Sequence, residues 1–91
     1  MGEVTIYTRM MCGYCSAAKR LLQNKGINFV EHDASFSPEL RREMIERAGG
    51  RSTFPQVFIG KTHVGGSDEL HGLESRGELD KLLASEGIAT T

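Results

Sequence analysis

The apolar residues change their spacing several times along the chain, and each change marks an element. Val4-Thr5-Ile6-Tyr7-Thr8 is a β-branched and aromatic run, which predicts a strand ending just before two cysteines. From about Cys15 the period lengthens. Ala18, Leu21 and Leu22 recur at helical spacing among strong helix formers, and Lys25 followed by Gly26 supplies the stop. Ile27 through Asp33 returns to a strand pattern. The first third of the chain therefore predicts a β-α-β unit with a parallel pair and a right-handed crossover.

Ser37-Pro38-Glu39 opens the next helix with a capping hydroxyl, a proline in the first turn and an acidic residue at the positive dipole end. Leu40, Met44, Ile45 and Ala48 give it one apolar face, and Gly49-Gly50 ends it. Gln56-Val57-Phe58-Ile59 and Thr62-His63-Val64 flank the turn residues Gly60-Lys61 and predict an antiparallel hairpin. Gly65-Gly66 breaks the hairpin. Ser67-Asp68-Glu69-Leu70 then opens a third helix running through Leu79, Leu82 and Leu83, with a candidate break at Gly77. The tail, Gly87 to Thr91, is expected to be loose. The order β-α-β-α-β-β-α implies an α/β fold: one four-stranded mixed sheet with helices on both faces.

Ninety-one residues suffice for one core, so a single domain spanning residues 1–91 is expected, without repeats, linkers or low-complexity segments. Hydrophobic residues at 38% and charged residues at 25%, with four Phe and two Tyr to fill an interior, argue for a folded globule. Eleven basic against twelve acidic residues leave a formal charge of −1, too balanced for a nucleic-acid or anionic-membrane footprint. The N-terminal residues have neither the basic start nor the apolar stretch of a signal peptide, and no segment approaches a membrane span. A cytoplasmic location is expected. In such a compartment structural thiols stay reduced, so the two cysteines call for a chemical explanation.

Cys12 and Cys15 stand three residues apart where a strand passes into a helix, a spacing that permits reversible disulfide formation. Cys12 lies ahead of the helix, where unpaired N–H groups, the dipole and Arg9 favour a thiolate, so it is the expected nucleophile. Cys15, one turn further in, suits a resolving residue with a higher thiol pKa. The same pair would serve as half of a zinc site. The only other nitrogen donors of the needed type, His32, His63 and His71, do not stand at finger spacing from Cys15. Two neighbouring core cysteines without chemistry are the remaining alternative, and the motif alone leaves several redox classes open.

Three separated segments narrow the choice. Ile6-Tyr7-Thr8-Arg9 through Cys12-Gly13-Tyr14-Cys15, then Thr53-Phe54-Pro55-Gln56-Val57-Phe58-Ile59, then His63-Val64-Gly65-Gly66-Ser67-Asp68 together resemble the dithiol glutaredoxins over nearly the whole chain. The resemblance implies a thioredoxin-like fold and glutathione-dependent thiol-disulfide oxidoreduction. It implies that Pro55 is cis and that the backbone of Thr53 and Phe54 pairs with the cysteinyl part of glutathione like an added strand. Gly66, Ser67 and Asp68 would receive the γ-glutamyl end, Arg9 its glycyl carboxylate, and Tyr14 would pack beside the tripeptide. Arg42 is a weaker candidate for the same carboxylate, with a solvated surface charge as the alternative, and Arg51 shares that ambiguity. Without the family, Pro55 would read as the start of an edge strand and Gly66 to Asp68 as a capped helix.

The implied partners are glutathione, disulfide-containing or glutathionylated proteins and, indirectly, glutathione reductase; nucleic acid and membrane are not among them. Three departures from the family pattern stand out: Gly13 where proline is usual, Phe54 where valine precedes the cis proline, and Ser67 where cysteine or threonine is frequent. Gly13 carries a second hypothesis, because some family members with a small residue there hold a 2Fe-2S cluster between two subunits through the first cysteine and glutathione. The chain is expected to be a monomer, and a dimer only with such a cluster, in which Cys12 would be the ligand. A third possibility, a redoxin fed by thioredoxin reductase, is disfavoured by the glutathione-binding segments.

Overall fold

A computed structural model describes residues 2–88. In chain order it contains β1 (Val4–Thr8), α1 (Gly13–Asn24), β2 (Phe29–Asp33), α2 (Pro38–Arg47), β3 (Gln56–Ile59), β4 (Thr62–Gly65), α3 (Ser67–Ser75) and α4 (Leu79–Ser85). The strands form one sheet in the order β2-β1-β3-β4. β1 runs parallel to β2 and antiparallel to β3, and β4 returns antiparallel on β3. This is the mixed four-stranded sheet that the element order implied.

β1 and β3 lie in the middle of the sheet and are buried on both faces, which explains why their sequences run apolar without strict alternation. Alternation governs where each side chain goes. Val4, Ile6, Val57 and Ile59 face one way and close over Ala18 and Leu22 of α1, Leu70 of α3, and Leu79 and Leu83 of α4. Tyr7 and Phe58 face the other way and meet Met44 and Ala48 at the α2 side. Helices therefore cover both faces, three on one and α2 alone on the other.

Several boundaries differ from the sequence reading, each for a local reason. α1 starts at Gly13, two residues earlier than expected, because Cys12 is its N-cap and its sulfur accepts the Cys15 N–H. β2 starts at Phe29 because the Ile27 N–H donates to Leu22 O at 3.0 Å and completes the end of α1. The expected third helix is two helices: Gly77, at φ +72°, turns the chain between α3 and α4. The expectation of a loose tail is corrected for Gly87 and Ile88, whose N–H groups donate to Ala84 and Leu83; Ile88 also packs against the core. Ala89 to Thr91 lie outside the described residues. Among the described residues no helix is long and apolar enough to cross a membrane.

Candidate active site

The site lies where the C-terminal end of β1, the start of α1 and the segment before β3 converge. Beyond Thr8 the chain leaves the sheet through Arg9, Met10 and Met11; Met11 takes a left-handed conformation at φ +54°, and Cys12 caps the helix. The Met10 N–H donates to Ser35 Oγ at 2.7 Å, which ties this loop to the turn after β2. Cys12 Sγ accepts the Cys15 N–H at 3.2 Å and lies 3.8 Å from the Phe54 carbonyl oxygen across the site. The sulfur thus stands at the N-terminus of α1 with a backbone N–H aimed at it. Both cysteines are free thiols.

Cys15 is 2% exposed. Burial pushes its thiol up to about 12, assisted by its hydrogen bond with Cys12, while the backbone and charge of Arg9 pull the other way. The two thiols thus have different settings. Cys12 reaches the Phe54 carbonyl beside the groove, whereas Cys15 is the more deeply buried of the two, and both border the depression on the Arg9 side.

The Phe54–Pro55 peptide bond is cis, as the resemblance implied. Beside it a groove of about 220 Å³ is lined by Tyr14, Arg51, Thr53, Phe54, Pro55, Gly66, Ser67, Asp68 and Glu69. Tyr14 stands 68% exposed at its rim. At the far end Gly66 caps α3, and its N–H donates to Glu69 Oε1 at 2.6 Å; glycine has no side chain to return, so this is half of a capping box. The Gly66 N–H holds the Glu69 carboxyl below its ordinary range, with the Arg51 guanidinium, 3.2 Å from Oε1, adding to the effect. The first-turn N–H groups of α3 stand at the groove with Asp68 beside them, a setting for a carboxylate and an ammonium together.

The structure brings Tyr14, Thr53, Phe54, Pro55, Gly66, Ser67 and Asp68 into one groove next to Cys12. It does not bring Arg9 or Arg42 there. Arg9 is exposed on the opposite flank of Cys12, in a depression shared with Lys19, Glu31 and Asp33, because β1 delivers it towards the end of its parallel neighbour β2. Arg42 is exposed on α2 and lines neither depression. The cation lining the groove is Arg51. Of the two cations left ambiguous by the sequence, Arg51 lines the groove and Arg42 does not; Glu69 is a groove residue that the sequence reading does not single out, although its position three residues after Gly66 fits a capping pattern.

His63 stacks on Phe58, with ring centroids 4.9 Å apart, and His32 lies 5.1 Å from the Tyr7 ring. His71 Nδ1 lies 2.8 Å from Ser67 O within α3. Among the described residues no group of three or more His, Cys, Asp or Glu side chains is placed to hold a metal ion.

A family model described as Glutaredoxin matches residues 4–64, from the first residue of β1 to the penultimate residue of β4. The chain belongs to the glutaredoxin family. It is 52% identical over 85 residues to a glutaredoxin of Pseudomonas aeruginosa, covering 93% of this chain and all of that protein. The solution structure of a glutaredoxin from Brucella melitensis is 60% identical, with a TM-score of 0.77 over 89% of this chain and 87% of that one. A buckwheat glutaredoxin in complex with glutathione superposes with a TM-score of 0.83 at 26% identity, covering 94% and 80% of the two chains. As a glutaredoxin with a thioredoxin-like fold, the protein is a thiol-disulfide oxidoreductase, and the cysteine pair at the start of α1 fits that chemistry.

Proposed function

We propose that the protein reduces glutathione mixed disulfides and protein disulfides with glutathione as reductant, as a single domain working in the cytoplasm. The observation that carries this reading is the groove joining the cis Phe54–Pro55 segment to the N-terminus of α3 beside Cys12. Its parts suit a tripeptide thiol: an edge of backbone for peptide hydrogen bonds, a helix N-terminus for one carboxylate, Asp68 for an ammonium, and a sulfur nucleophile at one end. The buckwheat relative's complex with glutathione supports the same occupant. Arg51 lines the groove and Arg9 flanks Cys12 from the other side, leaving the glycyl carboxylate two cations to choose between.

In the proposed cycle the Cys12 thiolate attacks the glutathione sulfur of a mixed disulfide. A Cys12–glutathione disulfide forms, and the substrate sulfur leaves as a thiolate and takes up a proton. A second glutathione thiolate then attacks the bound glutathione sulfur, freeing Cys12 and releasing glutathione disulfide. With a protein disulfide, Cys12 forms a mixed disulfide to the substrate and Cys15 displaces it, closing the Cys12–Cys15 bridge that two glutathiones reopen. The buried, high-pKa Cys15 suits the second role, since it stays protonated while Cys12 reacts.

The deciding experiment compares Cys12→Ser and Cys15→Ser on a glutathionylated peptide and on a protein disulfide. Cys12→Ser is expected to lose both activities by about three orders of magnitude or more. Cys15→Ser is expected to keep deglutathionylation and lose protein-disulfide reduction, and equal losses in the two variants would contradict the division of roles.

A second reading, a 2Fe-2S carrier, draws on Gly13, which is exposed and whose added Cβ would meet no atom within 4 Å, leaving the approach to Cys12 open to a second subunit. A related structure, 61% identical and described as metal binding of glutaredoxins, accords with it. Anaerobic reconstitution with iron, sulfide and glutathione tests it: a coloured dimer supports the carrier, and a colourless monomer removes it.

A further inference from the structure

Gln56, the first residue of β3, is fully buried and makes three polar contacts. Its Nε2 donates to Thr53 O and to Thr53 Oγ1, both at 3.0 Å, reaching back across the cis Phe54–Pro55 bond. Its Oε1 lies 2.6 Å from His63 Nε2. A carbonyl oxygen only accepts, so the amide nitrogen must face Thr53 and the amide oxygen must face His63. His63 Nε2 therefore carries the proton and donates. The imidazole is fixed for this by its stack on Phe58 and by the irregularity at Val57/Phe58, where β4 shifts register and His63 falls opposite Phe58.

This chain of contacts ends on a peptide group that matters to the groove. In a trans peptide the C=O and the following N–H point in opposite directions. With Thr53 O drawn inward to buried Gln56, the Phe54 N–H is turned outward, and it has no backbone or side-chain acceptor among the described residues. Thr53 Oγ1, already accepting from Gln56, keeps its own hydrogen free to donate.

We infer that His63 and Gln56 are positioning residues that lock the Thr53–Phe54 peptide so that the Phe54 N–H and the Thr53 hydroxyl face the groove as donors to a peptide carbonyl of the bound thiol. The nature of that acceptor rests on the glutathione reading above; the lock does not. Neither residue touches the reacting sulfur, so the lock acts on how the substrate is held and leaves the chemistry at Cys12 alone.

The test uses His63→Phe, which keeps the stack on Phe58 and removes the donor, Gln56→Met, and His63→Gln, which restores an amide donor. On a glutathionylated peptide, His63→Phe and Gln56→Met are expected to raise KM about tenfold, the scale of one lost hydrogen bond, with kcat within about twofold of wild type. His63→Gln is expected to bring KM back within about threefold. In 15N spectra the Phe54 amide should move in the first two variants and return in the third. An unchanged KM and Phe54 amide in His63→Phe overturns the inference, as does a KM raised equally in His63→Phe and His63→Gln. The wild-type protein supplies a measurement that needs no variant: both Gln56 side-chain amide protons should exchange slowly with solvent, and free exchange sinks the lock. Wild-type turnover indifferent to glutathione would refute the proposed substrate, while the Gln56 and Phe54 amide signals would still judge the lock on their own.

Discussion

Cys12 and Cys15 are three positions apart in sequence and both buried, but they differ in depth and in what they approach. One caps a helix with its sulfur beside a groove; the other is packed against the core behind it. The raised Cys15 pKa has a consequence for stability. The folded thiol stays protonated to about 12, whereas the unfolded thiol ionises near its ordinary value of 9.0, so above that pH the folded state binds more protons than the unfolded state. Stability of the reduced protein is expected to fall as pH rises from about 9 towards 12. Denaturant titrations across that range check it, and Cys15→Ala should flatten the slope. At this scale residue type and spacing were informative for the cysteine pair, whereas the cis Pro55 was legible only through the family resemblance, since a proline alone reads as the start of an edge strand. It was less informative for the arginines, because a long charged side chain can serve any site within its reach and only the fold says which. Arg42 lines neither the groove nor the depression beside Arg9, and Arg51 lines the groove.

The elements were legible because their patterns are strong, and their joints were not. Caps and turns depend on contacts with residues outside the window that defines the pattern: the N-cap role of Cys12 moves the start of α1, and the Ile27 N–H delays β2. One demanding joint is Gly65, which ends β4 at φ +114° just before Gly66, the N-cap of α3. A Cβ there would lie 2.5 Å from Glu69 Oε1 and 2.9 Å from Arg51 Nη1, the two side chains that border the groove. Those side-chain ends can yield, but the backbone conformation cannot suit an L residue. Gly65→Ala is therefore expected to cost about 1–3 kcal/mol and to raise KM for a glutathione substrate by displacing the end of the groove. Chemical denaturation and steady-state kinetics on the one variant read both effects.

At the scale of the whole molecule, the sheet separates two packing layers that depend on different helices. Leu22 lies fully buried in the larger layer with α1, α3 and α4, and Met44 in the smaller one beneath α2. Truncation to alanine at either site is expected to cost about 2–5 kcal/mol, measured by urea unfolding. For a domain of this size that is a large share of a total margin on the order of 5–13 kcal/mol. Leu22→Ala should also disturb the thiols, since Cys12 caps α1 and Cys15 lies in its first turn. The β-α-β-α-β-β-α order was enough to give the sheet its composition. Strand order and the unequal layers required the pairing of β1 with β3, a contact between segments whose periodicities are each local and say nothing of one another.

That central pairing also governs when the protein becomes competent. Val4 to Tyr7 meet Ile59 to Gln56 across about fifty intervening positions, whereas the β1-α1-β2 unit and the β3-β4 hairpin each close over short stretches. Cys12 belongs to the first of these units and the Phe54 carbonyl to the approach of the second, so neither half holds the site alone. During refolding, secondary structure can return in each half before any thiol is poised. Recovery of disulfide-reducing activity therefore requires the long-range pairing and does not precede it.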